Sequence, residues 1–163
     1  MSEPTTTRNA EWQRLRADYL AESEVRSPTT ARGIHHLALL SSDVEQTINF
    51  YQGVLGFPLT ELFENRDYPD STHFFFDIGN GNYLAFFDFP NLDLGGYAEV
   101  LGGLHHVAIS IDREGWERAR LGLEEAGVEY ALESGASLYF AGPDGERLEL
   151  INDPLGEMYG NKL

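Results

Sequence analysis

The chain has 163 residues, 42% apolar and 23% charged, with 27 acidic against 11 basic side chains and a net charge of −16. That length supports one domain with a sizeable core or two small intertwined halves, and the acidity argues against nucleic acid and anionic membrane, which both need a basic surface. There is no cysteine, so disulfides and thiolate metal sites are excluded, and no stretch approaches the ~20 apolar residues of a membrane span.

Residues 1–32 form an extension with one helix. Met1 to Thr7 has no apolar core, is no secretory signal and is expected to be disordered, which leaves the cytoplasm as the expected compartment. From Asn9 to Ser23, Trp12, Leu15 and Tyr19 fall at i, i+3 and i+7, one helical stripe suited to docking on the protein's own body or a sister subunit. Ser27-Pro28-Thr29-Thr30 reads as a linker.

The first module spans 33–89. Ile34 to Leu40 is a strand. Asp43 caps a helix, with Gln46 completing a capping box, Val44, Ile48, Tyr51 and Leu55 as its apolar face and Gly56 as its stop. Strands follow at Phe57 to Phe63, Thr72 to Ile78 and Tyr83 to Phe89, the last two joined by the Gly79-Asn80-Gly81-Asn82 turn. Asn91 to Gly102 is a connector. The second module, 103–152, repeats the order: a strand from Leu104 to Ile111, a helix from Asp112 to Gly127, then strands Val128 to Glu133, Ala136 to Ala141 and Glu146 to Ile151. Residues 153–163 are a Gly-rich tail. The expected fold is α+β, with residues 33–152 as one domain of paired βαβββ modules in a half-open mixed barrel, plus the N-terminal helix.

The two modules open on one phrase. Gly33-Ile34-His35-His36-Leu37-Ala38-Leu39 returns 70 residues later as Gly103-Leu104-His105-His106-Val107-Ala108-Ile109, and these doublets hold four of the five histidines. Strand alternation sorts the side chains. Leu37, Leu39, Val107 and Ile109 lie toward the helices, which turns His36 and His106 the other way. Glu149 and Tyr139 lie opposite Leu148, Leu150, Leu138 and Phe140, and His73 and Phe75 lie opposite Phe74 and Phe76. The expectation is one concave surface carrying His36, His106, Glu149, Tyr139 and His73.

A lone strand histidine is more often a hydrogen-bonded core residue than a ligand. Two at repeat-equivalent positions, facing a carboxylate that is costly to bury unpaired, favour a metal. Two imidazoles and one carboxylate form the facial set of non-haem Fe(II) oxygenases, and the same donors hold Mn(II), Zn(II), Ni(II) or Co(II).

His36-Leu37-Ala38-Leu39, Asp43, Asn49-Phe50-Tyr51, Val54-Leu55-Gly56-Phe57 and the closing Gly142-Pro143-Asp144-Gly145-Glu146-Arg147-Leu148-Glu149 resemble the vicinal oxygen chelate superfamily. That group includes glyoxalase I, the fosfomycin- and bleomycin-resistance proteins and the extradiol dioxygenases. The resemblance implies metal on His36, His106 and Glu149, with Fe(II) the first expectation. Ala85 stands where glyoxalase I has an additional glutamate ligand, which speaks against that activity. Leu138-Tyr139 with Pro143, Gly145 and Glu149 resembles the extradiol segment, although Gly142 replaces its usual polar or alanine residue and no histidine lies shortly before Tyr139, where Tyr130 and Leu132 stand instead. The expected function is an extradiol-dioxygenase-like oxidoreductase acting on a small catechol- or enediol-like molecule. Tyr139 would contact an oxygen, His73 would move a proton, and Phe75, Phe86 and Phe87 would line the pocket. A metal-dependent lyase, isomerase or transferase of the glyoxalase or fosfomycin type is the rival, and a metal-free binding protein the third reading. The expected partners are the small molecule and a second copy in a homodimer.

Overall fold

The computed structural model describes residues 5–163, with side chains from Arg8 onward. The chain divides into two compact units, Met1–Gly33 and Ile34–Leu163. In the first, helix α1 spans Thr5–Tyr19. It starts earlier than the apolar stripe alone predicts, so the expected disorder gives way to helix from Thr5; residues 1–4 lie outside the described residues. Arg8–Glu11 and Arg14–Asp18 ion pairs, both 3.0 Å, run along it at i,i+3 and i,i+4. The helix ends before Ser23, and Ser23–Val25 forms a separate 3-10 turn. Trp12, Leu15 and Tyr19 are exposed.

The second unit contains the same module twice. The first copy is β1 (His36–Leu40), α2 (Val44–Ile48) running on into a wider π turn at Asn49–Val54, β2 (Leu59–Glu64), β3 (Thr72–Asp77) and β4 (Tyr83–Phe87). The second is β5 (Val107–Ser110), α3 (Arg113–Glu125), β6 (Tyr130–Glu133), β7 (Ser137–Ala141) and β8 (Arg147–Ile151). Their sheets have matching orders, β1-β4-β3-β2 and β5-β8-β7-β6. In each, the first and last strands pair parallel and the others antiparallel. The fold is therefore α+β, two four-stranded mixed sheets that do not close into a barrel. A short hairpin, β9 (Glu157–Met158) and β10 (Asn161–Lys162), ends the chain.

Local chemistry sets the element ends. Asp43 Oδ1 accepts from Gln46 N at 2.9 Å and Asp112 Oδ1 from Gly115 N at 2.7 Å, so both helices have carboxylate N-caps. β5 begins later than the apolar run from Leu104 predicts. The Tyr97 hydroxyl lies 3.0 Å from both Leu104 O and His105 O and engages the carbonyls that would extend the ladder.

One apolar core serves both modules. Phe74, Phe76, Leu84 and Phe86 of the first sheet join Val107, Ile109, Leu138, Phe140, Leu148 and Leu150 of the second, with Tyr51, Trp116 and Leu123 from the helices. The helical segments meet almost backbone to backbone. A Cβ on Gly122 of α3 would lie 2.6 Å from Val54 O of the π turn. Phe50 of that turn reaches Phe140 of β7, ring centroids 6.2 Å apart.

A buried hydrogen bond crosses the same junction. Tyr51 O–H donates to Glu146 Oε1 at 2.7 Å, and Asp144 N donates to the second carboxylate oxygen at 3.0 Å. A Cβ at Gly142 would collide with Glu146 Oε1, so only glycine leaves room for the carboxylate in this position. That accounts for the glycine before Pro143. Burial raises the pKa of Glu146 and, more strongly, that of Tyr51, so the proton stays on the phenol.

Tyr51→Phe should therefore cost about 1–3 kcal/mol at neutral pH, the penalty for a buried acceptor that loses its donor. Because the folded-state pKa of Glu146 is raised, its carboxyl takes up a proton before ordinary carboxylates as pH falls, and the penalty should shrink there. Urea midpoints across that range measure both effects; a variant with the wild-type midpoint at neutral pH would show that the bond contributes nothing.

Candidate metal centre

The wall of the second sheet carries the polar groups. Tyr139 pairs with Glu149 across β7 and β8, and Glu149 with Ala108 across β8 and β5. His106 lies two residues before Ala108 and so shares that face. Its Nε2 is 3.3 Å from Glu149 Oε2. Two donors each about 2.1 Å from one ion, at angles between octahedral and tetrahedral, lie roughly 3.0–3.4 Å apart. The pair thus fits a shared divalent ion. Glu149 is 1% exposed, a carboxylate buried deeply enough to need a cation or several donors. Ser137 Oγ donates to its Oε1 at 2.5 Å. The Tyr139 ring stands edge-on to His106 at 5.9 Å. Burial raises the pKa of the Tyr139 phenol first, and the neighbouring Tyr159 and Glu149 add to the shift.

The first histidine of each doublet is engaged with the second. His105 Nδ1 meets His106 Nδ1 at 2.7 Å, and His35 Nδ1 meets His36 Nδ1 at 2.8 Å. Arg147 Nη1 approaches His105 Nε2 at 3.3 Å, and guanidinium only donates. Such a donor at Nε2 favours the His105 tautomer with its proton on Nδ1, donated to His106, and with it the His106 tautomer with its proton on Nε2, facing Glu149. Metal binding at Nε2 needs the opposite tautomer.

The wall of the first sheet is aromatic. Ala38 pairs with Ala85 and Ala85 with Phe75, and His36 shares their face. Ala85 is the register counterpart of Glu149, so this module has no carboxylate at that position. His36 is exposed and stands edge-on to Phe75 at 5.9 Å. His73 stacks on Phe87 at 3.8 Å and lies 4.3 Å from Phe75. Its Nε2 is buried with no hydrogen-bond partner. Burial, then the nearby His36 charge, lowers its pKa and keeps it neutral. Phe86 does not line this wall: it is in the core, stacked on Phe74 at 5.5 Å, because alternation turns it toward the helices.

The structure brings His106, Glu149 and Tyr139 together on one sheet, and His36 and His73 together on the other. It does not bring the two walls together. Among the described residues no three His, Asp or Glu side chains converge to hold a metal. The shared core uses the helix-side faces, leaving His36, Ala38, Leu40 and Ala108 exposed outside it. A cavity of about 650 Å³ lies between the end of β1, the Asp88–Ala98 connector and Asp144, and none of the five candidate residues lines it. Sequence reasoning missed Ser137, although it precedes Tyr139 by two positions and alternation puts it on the same face. It also missed Tyr159, which no periodic pattern marks.

A family model of the Glyoxalase/Bleomycin resistance protein/Dioxygenase superfamily matches residues 33–150, and the chain belongs to that superfamily. Its members are usually metal-dependent enzymes. Among its relatives is a Bacillus subtilis (strain 168) protein named "Putative ring-cleaving dioxygenase MhqA", 30% identical over 78% of this chain and 42% of its own length. The chain thus spans less than half of that relative. The metallothiol transferase FosB of Shouchella clausii (strain KSM-K16) is 29% identical over 77% of this chain and 83% of its own length. Among solved structures, the fosfomycin resistance protein FosX of Listeria monocytogenes, complexed with Mn(II) and a dihydroxypropylphosphonic acid, superposes with a TM-score of 0.56. It is 22% identical, covering 77% of this chain and 96% of its own. Among the described residues no helix is long and apolar enough to cross a membrane.

The tautomer chain gives a signed expectation. Arg147→Met removes the donor that fixes His105, and with it a positive charge beside the site. Divalent metal should then bind the variant several-fold more tightly in a calorimetric titration. Weaker binding would mean that the proton arrangement drawn from Arg147 is wrong.

Proposed function

We propose that the chain is a divalent-metal enzyme acting on a small aromatic diol, an extradiol-type ring-cleaving oxygenase, with each site built from two copies of the chain. The observation that carries the substrate class is the chemistry of the two walls. β1, β3, β4, β5 and β7 contain no Lys or Arg, and Arg147 of β8 is paired with Glu99 at 2.6 Å. A phosphonate dianion would find no free cation on either wall. An aromatic ring would find Phe75 and Phe87.

His106 and Glu149 of one copy supply two metal donors, and His36 of a second copy supplies the third. Two findings support this split: among the described residues no three His, Asp or Glu side chains converge within one chain, and His36 and Ala38 on one wall and Ala108 on the other are exposed; a two-fold axis would then make two equivalent sites. Fe(II) is the proposed ion; Mn(II), Zn(II), Ni(II) and Co(II) suit the same donors. When bound, it supplies charge for two adjacent substrate oxygens and open positions for oxygen. His73 arrives with His36 on the aromatic wall. Its neutral, unpaired Nε2 accepts a proton from the diol, and the apolar rings around it exclude water. The Tyr139 hydroxyl donates to a substrate oxygen from the opposite wall.

A fosfomycin-type transferase is the second reading. It is supported by the match to FosB, 29% identical over 83% of that relative. A metal-free binding protein leaves the buried Glu149 carboxylate facing His106 without a purpose. Oxygen uptake by Fe(II)-loaded protein across a catechol panel, beside thiol transfer to fosfomycin, separates the readings. Uptake with no catechol would end the ring-cleavage proposal.

Two variants test the site. Neither His36→Ala nor Glu149→Ala alone should hold metal. A mixture refolded together should recover one site per mixed dimer, because the intact His36 and the intact Glu149 then meet across the interface. No recovery of metal in the mixture would place the ligands within one chain. Tyr139→Phe should retain metal and lose ~10²-fold in turnover, the typical value of a hydroxyl aimed at developing charge. Equal turnover would remove Tyr139 from the chemistry.

A further inference from the structure

The C-terminal hairpin lies beyond the stretch that matches the family, which ends at residue 150. Its turn is Tyr159-Gly160, both residues at positive φ, 50° and 82°. Such two-residue turns favour Asn or Asp before Gly, and a ring-bearing side chain there is strained. The strain is held from both sides. Asp153 Oδ2 accepts from Tyr159 N at 2.5 Å, and Ser110 Oγ donates to Asp153 O at 2.6 Å, which ties the hairpin base to β5. Leu163 N donates to Gly156 O at 2.9 Å and closes the hairpin.

The strained residue reaches the candidate metal carboxylate. Tyr159 Oη lies 3.2 Å from Ser137 Oγ, which is fully buried. Ser137 has one proton, and at 2.5 Å it is committed to Glu149 Oε1. Tyr159 is therefore the donor to Ser137. The relay runs from Tyr159 O–H to Ser137 Oγ–H to Glu149 Oε1, and it leaves Oε2 turned toward His106 Nε2.

We propose that Tyr159 is a positioning residue for Glu149, acting through Ser137, and that the C-terminal hairpin is a working part of the metal site. The proposal rests on the reading of Glu149 as a metal ligand. The relay fixes which carboxylate oxygen faces the ion and polarises the other. Outer hydrogen-bond partners of metal ligands commonly matter by 10–100-fold in affinity.

The test uses full-length, tag-free protein titrated with Co(II), followed by its visible absorption. Tyr159→Phe keeps the ring and the strained backbone and removes only the hydroxyl. It should weaken Co(II) about 10-fold or more and shift the absorption bands. Tyr159→Asn removes the hydroxyl and relieves the strain, so it should bind Co(II) as weakly while the metal-free protein melts at a higher temperature. A purely structural tyrosine would lower the melting temperature in that variant. Ser137→Ala combined with Tyr159→Phe should be no worse than Ser137→Ala alone, since the hydroxyl acts through the serine. Wild-type Co(II) affinity in Tyr159→Phe, or additive losses in the double variant, would overturn the positioning role and leave the metal reading intact. Wild-type protein that takes up no Co(II) would overturn both.

Discussion

The near-contact of α3 with the π turn, Gly122 against Val54 O, sets the layout of the second unit. With no side chain between the two segments, each sheet's helix side is drawn into one core. The buried Tyr51–Glu146 bond lies at the same junction and makes it directional, since a phenol and a carboxylate satisfy each other in few arrangements. Once the helix sides are committed inward, the histidine-bearing faces lie outside. The π turn itself belongs to this constraint. Within it Phe50 and Tyr51 address different neighbours, Phe140 and Glu146.

The two modules then diverge in chemistry while keeping one register. Ser137 in β7 stands where His73 stands in β3, Tyr139 where Phe75 stands, and Glu149 where Ala85 stands. One wall can hold charge and donate hydrogen bonds; the other can hold a ring and keep water away. The modules share one geometry and differ in the residues on one face. The acidic surface, at −16 for the chain, favours the approach of a cation over that of an anion.

Much of this arrangement was legible in the chain itself. Period-two alternation located Leu37, Leu39, Val107 and Ile109 on the core side, and the repeat exposed the doublets. The choice of partner for each wall was not legible, because alternation tells which face a residue is on and says nothing about what that face meets. A pattern with apolar helix sides and mixed cavity sides suits walls that meet within one chain as well as walls that meet between chains. Gly142 looked like a departure from the extradiol segment, and its cause, the Glu146 carboxylate, belongs to a hairpin turn and obeys no period. The N-terminal helix starts earlier than its stripe because Thr5 to Thr7 carry no apolar residue to extend the pattern. Tyr159 lay in a tail whose glycines hid a hairpin.

The paired alanines of the first module carry a consequence for how such sites change. Ala85 is fully buried and sits between Ala38 and Phe75, on the face that His36 shares. Alanine and glutamate codons can differ at one base. A glutamate there would stand in register with Glu149 and offer a further carboxylate beside His36, provided that Phe75 gave way. The ring that shapes the aromatic wall is thus also the barrier to a carboxylate at this position. In this scaffold the shape of the aromatic wall and the charge of the proposed metal site must evolve together.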